Sequence, residues 1–370
     1  TEAGTRKLLE QWLALDEPRR DTMSRNAIDS FRSRFDVTGA TKALEAAARQ
    51  YAEQIKTIHF GQFVFFTQWH ELRDYAKSLN IKLFGDVPIY VSMDSADAWA
   101  HKDAFLMDEN GHCEFVAGVP PDAFSDTGQL WGNPLYDWQA LQETEFSWWI
   151  ERFKTQLELF DLVRIDHFRG LEACWHVPAL AETAIDGKWV KTPGQALLKA
   201  LHKHFHPIPL VAEDLGVITD SVRALRDKFK LPGMAILQFA FDGQYDNLYL
   251  PHNVRRNQVI YTGTHDNDTT LGWYHKLPDH ARKHLCDYVG AAESEPLDMP
   301  WLLNRMALAS VANLAILPMQ DLLALDSSHR MNTPGSTEGN WQWRLDWSML
   351  WPSLAGDVRD LISLYQRLPS

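Results

Sequence analysis

Four apolar runs in this sequence end in an acid set among polar residues. They are Leu83-Phe84-Gly85-Asp86, Leu162-Val163-Arg164-Ile165-Asp166-His167, Leu210-Val211-Ala212-Glu213-Asp214 and Tyr261-Thr262-Gly263-Thr264-His265-Asp266. Any one of these acids alone is an ordinary cap of the turn or helix that follows it. Together they suit another task, because the C-terminal ends of barrel strands converge on one rim and would bring Asp166, Glu213 and Asp266 together. Two carboxyls whose surroundings push their proton affinities apart are what cleavage of a glycosidic bond requires. One stays protonated for the leaving oxygen and the other ionised for the anomeric carbon. Asp166 suits the nucleophile: Arg164, two residues earlier in a strand, points to the same face and would hold it ionised. Glu213 has a longer reach and follows an apolar Leu-Val-Ala run, so desolvation would raise its pKa and suit it to acid/base work. Asp266 is then a third carboxylate, stabilising the positive charge that develops on the sugar.

The elements that must carry these acids are legible in the apolar pattern. Lys42 to Ile58 and Phe60 to Asn80 read as helices. Strand-length runs follow at 81–91, 159–165, 208–212, 234–239, 258–261 and 312–317, separated by helical patterns such as Glu145 to Phe160 and Gln195 to Phe205. Helices alternating with short, almost wholly apolar strands indicate parallel β/α units in one continuous domain. Six units by count alone favour an open doubly wound sheet slightly over a (β/α)8 TIM barrel, which needs eight. The sequence has no GxGxxG or GxxxxGK[ST] turn for a nucleotide phosphate, and its polar chemistry sits at strand after strand end, which favours the barrel.

Composition narrows the function class. The 370 residues carry a formal charge of -13, which opposes nucleic-acid binding. The charge-free stretch Met306 to Gln320 is interrupted by Ser310, Asn313 and Pro318 and is too short for a bilayer, so no membrane segment is expected. Cys113, Cys174 and Cys286 form no CxxC pair, which fits a reducing compartment, and a cytoplasmic location is expected. No secretory signal opens the chain, although it starts at Thr1 rather than Met. The 15 tryptophans suit stacking on sugar rings. His202, His204 and His206 could hold a metal if they lay on a strand. They fall instead at a helix end before Pro207, so no metal and no cofactor are expected. Asn267-Asp268-Thr269 is read as a fortuitous sequon, and no GxSxG supports a nucleophilic serine.

Several longer motifs are distinctive: GDVPIYV from Gly85, VAGVPPDAFSDTGQLWGNPLYDW from Val116, LVRIDHFRG from Leu162, VAEDLGVI from Val211, YTGTHDNDTTLGW from Tyr261, NTPG from Asn332 and GNWQWRL from Gly339. In order and in content they resemble the bacterial amylomaltases, glycoside hydrolase family 77. The resemblance implies an α-amylase-type (β/α)8 barrel and a retaining mechanism, with Asp166 as nucleophile, Glu213 as acid/base and Asp266 as transition-state stabiliser. It places Asp86, Trp131, Arg164, Phe239, His265 and Asn332 along the glucan subsites. It further implies that residues 1–60 are a helical remnant of an inserted subdomain and 61–370 the last six β/α units of the barrel, the first strands lying before this sequence begins. The expected activity is transfer of glucanosyl units among maltose, maltotriose and longer α-1,4-glucans. Hydrolysis by the same carboxylates and a silent glucan-binding scaffold are the alternatives. Ala123 departs from an aromatic expected at that point. Gly118 to Trp131 reads as a mobile lid, because its prolines and glycines disfavour regular structure while Phe124 and Trp131 offer apolar faces to a sugar.

Overall fold

The computed structural model describes residues 37–121, 125–292 and 296–368, together with Asp16, Pro18, Arg19 and Thr22. The chain forms two compact units, Thr1–Asn80 and Ile81–Ser370. The first contains helices Val37–Gln50 and Ala52–Ser78, which break at Tyr51 rather than between Ile58 and Phe60. The expected break point contains no proline, and one interior glycine, Gly61, costs a helix only about 1 kcal/mol, so the second helix runs through it.

In the second unit all six expected strands form. β1 (Phe84–Val87), β4 (Leu162–Ile165) and β7 (Leu210–Ala212) make one parallel sheet in the order β1-β4-β7. β8 (Gly233–Ile236), β9 (Gln258–Tyr261) and β10 (Leu314–Ile316) make a second, in the order β10-β9-β8. Every residue of β7 and β8 is buried, as expected of strands covered on both faces. Helix Ser147–Leu159 buries Trp149 and Phe153, and helix Gly194–His204 buries Leu197, Leu198 and Leu201. They join Val87, Val163 and Ile165 in the largest core. The opposite faces of the strands meet in a cluster of Val211, Met234, Ile236, Val259 and Tyr261. His202 and His204 lie in the last turn of their helix, where the sequence reading puts them.

Between β1 and β7 the chain also builds a four-stranded antiparallel sheet in the order β3-β2-β5-β6, with β2 Phe115–Val119, β3 Gln129–Pro134, β5 Ala173–Pro178 and β6 Lys188–Lys191. This corrects the reading of Gly118 to Trp131 as lacking regular structure: its ends are paired strands, with Gly118 opposite Leu130 and Val119 opposite Gln129. The glycine that looks like a loop residue has a packing reason. A Cβ on Gly118 would stand 2.5 Å from the Gln129 carbonyl oxygen, so only glycine lets the strands approach. Among the described residues, no helix is long and apolar enough to cross a membrane.

Candidate active site

The parallel register of β1 and β4 sets Asp86 beside Arg164. The Arg164 guanidinium donates from Nε to Asp86 Oδ1 and from Nη2 to Asp86 Oδ2, both at 2.8 Å. Nη2 also donates to Asp166 Oδ1 at 2.8 Å. Arg164 is only 8% exposed, and although burial opposes its charge, Asp86 and Asp166 hold it firmly protonated. Asp166 lies one residue past β4, where its amide still donates to Val87 O at 2.9 Å, so the sheet orients it. The contact with Arg164 expected from the sequence is present. Burial holds the Asp166 carboxyl above the ordinary aspartate range; Arg164 pulls it down, while Asp86 and Asp266 add to the rise. One cation shared with Asp86 does not offset the burial of Asp166.

Glu213 continues β7 by the same logic: its amide donates to Ile165 O at 3.1 Å, and its carbonyl accepts from the Phe168 amide at 3.1 Å. Both carboxyl oxygens accept from the main chain, Oε2 from His167 N at 2.7 Å and Oε1 from Leu215 N at 3.1 Å. Burial first and the Asp166 charge second push its pKa up to about 7, against Arg164 and the two amides. His167 adopts the left-handed conformation, φ 51 and ψ 51. Burial and the nearby Arg169 lower its imidazole to about 4, so the ring is neutral, and it packs edge-on against Trp131 at 4.9 Å.

Asp266 belongs to the loop after β9, where Asn267 Oδ1 accepts from Thr264 N and Oγ1, both at 2.9 Å. Its Oδ1 accepts from Asn332 Nδ2 at 2.6 Å, and His265 Nε2 stands 3.4 Å from its Oδ2. Arg330, which the sequence reading missed, joins the two partners, donating to Asp266 O at 2.6 Å and to Asn332 O at 2.7 Å. Trp341 is also new to the site, its ring 5.1 Å from that of His265. Only its position in the GNWQWRL motif could have signalled it. Behind the loop, buried Asp321 accepts from Thr262 Oγ1 at 2.6 Å and from Thr270 Oγ1 and N at 2.7 and 2.8 Å.

The structure thus groups Asp86, Arg164, Asp166 and Glu213 directly, with His265 and Asp266 on the loop after β9 and Asn332 on a later segment that bonds to it. Trp131 reaches the group through His167. Phe239 packs instead on Tyr249, 5.9 Å between ring centres, at the end of β8. Phe124 and Ala123 lie outside the described residues. A cavity of about 360 Å³ is walled by Asp86, Arg164 and His265 with Phe84, Tyr261 and Trp341. Asp166 and Glu213 stand beside this cavity rather than in its wall. A carboxyl poised near neutrality, a second one on a guanidinium and a third across the gap form a set able to break and remake an acetal by double displacement.

Comparison with known proteins points the same way. The glycoside hydrolase family 77 model, described as 4-alpha-glucanotransferase, matches residues 11–349. The chain is 49% identical to a 4-alpha-glucanotransferase of Thermus thermophilus over 332 residues, covering 88% of this chain and 66% of that protein. It is 48% identical over 330 residues to a chloroplastic/amyloplastic 4-alpha-glucanotransferase of Oryza sativa subsp. japonica, covering 88% of this chain and 55% of that one. Among solved structures, the amylomaltase of Streptococcus agalactiae in complex with acarbose superposes with a TM-score of 0.85 at 35% identity, covering 89% of this chain and 66% of that one. The chain therefore spans between 55% and 66% of the lengths of these relatives.

Proposed function

Because this chain belongs to glycoside hydrolase family 77, the 4-alpha-glucanotransferases, we propose that it cleaves α-1,4-glucosidic bonds of maltooligosaccharides with retention and passes the glucanosyl unit to the 4-hydroxyl of another glucan. The observation that carries this reading is the pairing of Glu213, poised near pH 7, with Asp166 on Arg164. Asp166 attacks the anomeric carbon while Glu213 protonates the leaving oxygen. Asp266, oriented by Asn332, stabilises the oxocarbenium character between them. Glu213, now ionised, then takes the proton from the acceptor hydroxyl. Asp86, Trp131, Phe239, His265 and Asn332 are proposed to line the glucan subsites. The two parallel sheets are proposed as arcs of a (β/α)8 barrel of which residues 61–370 supply the last six β/α units, with residues 1–60 as part of an inserted helical subdomain. A cytoplasmic location accords with the three free cysteines. Incubation with maltotriose tests the reading. Glucose together with longer maltooligosaccharides supports transfer, short sugars alone mean hydrolysis, and unchanged maltotriose rejects catalysis.

A further inference from the structure

The loop that carries Glu213 is anchored at its start and exposed at its tip, Gly216 and Val217. Before the tip, buried Asp214 accepts from Met234 N at 2.8 Å and Leu215 packs on the cluster of Val211 and Met234; at the tip Gly216 turns the chain with a left-handed φ of +79°, and Val217 is 73% exposed. From the neighbouring strand end, Arg169 reaches that tip. Arg169 Nη1 donates to Val217 O at 2.6 Å. Arg169 follows His167 by two residues, and His167 supplies the other amide on Glu213. It therefore ties together the two segments that grip the carboxyl. The guanidinium is itself held from outside, its central carbon 3.9 Å from the centre of the Trp189 ring. Trp189 lies on β6 opposite Trp175 of β5, with ring centres 5.2 Å apart. Trp175 is anchored by a 2.8 Å bond from its indole N–H to Ala184 O. The same hairpin is clamped to the Arg169 loop by the Glu172–Lys191 ion pair and by Thr192 Oγ1, which donates to Gly170 O at 3.2 Å.

We propose that Arg169 and Trp189 are positioning residues, through which the antiparallel sheet braces the Glu213 carboxyl in its acid/base geometry. The proposal rests on the assignment of Glu213 as acid/base and predicts a defect confined to proton transfer. Losing the brace leaves the nucleophile untouched, since Asp166 is held by Arg164 and the β1–β4 sheet. The test compares two donors. Maltotriose needs its leaving oxygen protonated, whereas an α-maltotriosyl fluoride loses fluoride without an acid. In Arg169→Lys, which keeps the charge but loses the fork and the stack, and in Trp189→Ala, kcat/KM on maltotriose should fall about tenfold or more, while kcat/KM on the fluoride stays within about twofold. Trp189→Phe, which keeps an aromatic face, should recover most of the loss. Equal losses on both donors, or no loss on either, in variants with normal circular dichroism would overturn the proposal. Glu213→Gln is the control: it should keep kcat/KM for fluoride release, with kcat limited by the slower second step, and lose maltotriose. If it fails to do so, the acid/base assignment is at fault rather than the brace.

Discussion

Asp86 and Arg164 face each other across the parallel register of β1 and β4 and share two hydrogen bonds of 2.8 Å. That pairing means that the guanidinium meant to keep Asp166 ionised is already committed to another acid. The charge on Asp86 therefore acts on Asp166 twice, by direct repulsion and by competition for Arg164.

Removing that charge should extend activity toward acid. Asp166 works as the anion, and the Asp86 carboxylate helps to hold its pKa up, so neutralising Asp86 lowers it. In Asp86→Asn the acid limb of the pH profile of kcat/KM should move to lower pH. The maximal rate should fall about tenfold or more from lost substrate alignment. A profile that stays in place or moves the other way contradicts the coupling.

Glu213→Gln should lose about 10³-fold or more in turnover of maltotriose. In the unaltered protein, activity should decline as pH rises past about 7, because Glu213 must enter the reaction protonated. The stability effect has a defined sign. The folded value lies above the ordinary 4.5, so the folded state binds the proton more tightly. The stability this contributes is complete below about 4.5 and lost as pH rises through about 7. Glu213→Gln should accordingly melt higher than the unaltered protein at pH 8, by about 3 kcal/mol in stability, and match it near pH 4.

Arg330, in the cavity wall, grips the carbonyls of both Asp266 and Asn332. Arg330→Ala should lower kcat/KM on maltotriose by about 10- to 100-fold through misplacement of Asp266. Steady-state kinetics beside a melting curve would separate this from unfolding; an unaltered rate refutes the assignment.

Trp131 packs its ring against His167, whose amide holds Glu213. Trp131→Ala should open this side of the site to water and raise glucose release relative to long-chain products by about threefold or more. If both rates fall in proportion, Trp131 serves binding alone.

Asp321, 1% exposed, accepts three hydrogen bonds that join β9 to the helix beginning at Thr270. Asp321→Ala strands three buried donors and should cost about 3 kcal/mol, read from denaturant unfolding. A loss below 1 kcal/mol would place water there instead.

The sequence by itself determined the acids and the strands that carry them. Asp166, Glu213 and Asp266 stand at the ends of apolar runs whose length, composition and helical spacers are local properties, and hydrophobic periodicity records such properties directly. The family motifs are equally local, since each is a continuous string. Tertiary structure alone decided the partners. Asp86 and Arg164 are 78 positions apart and Arg330 is 64 from Asp266, so their contacts follow from strand register and loop closure, which no local pattern encodes. The antiparallel sheet stayed hidden for a related reason. Its strands contain Gly118, Gly132 and Pro134, which mark a turn in isolation, although Gly118 lets its strand approach the Gln129 carbonyl of the partner closely.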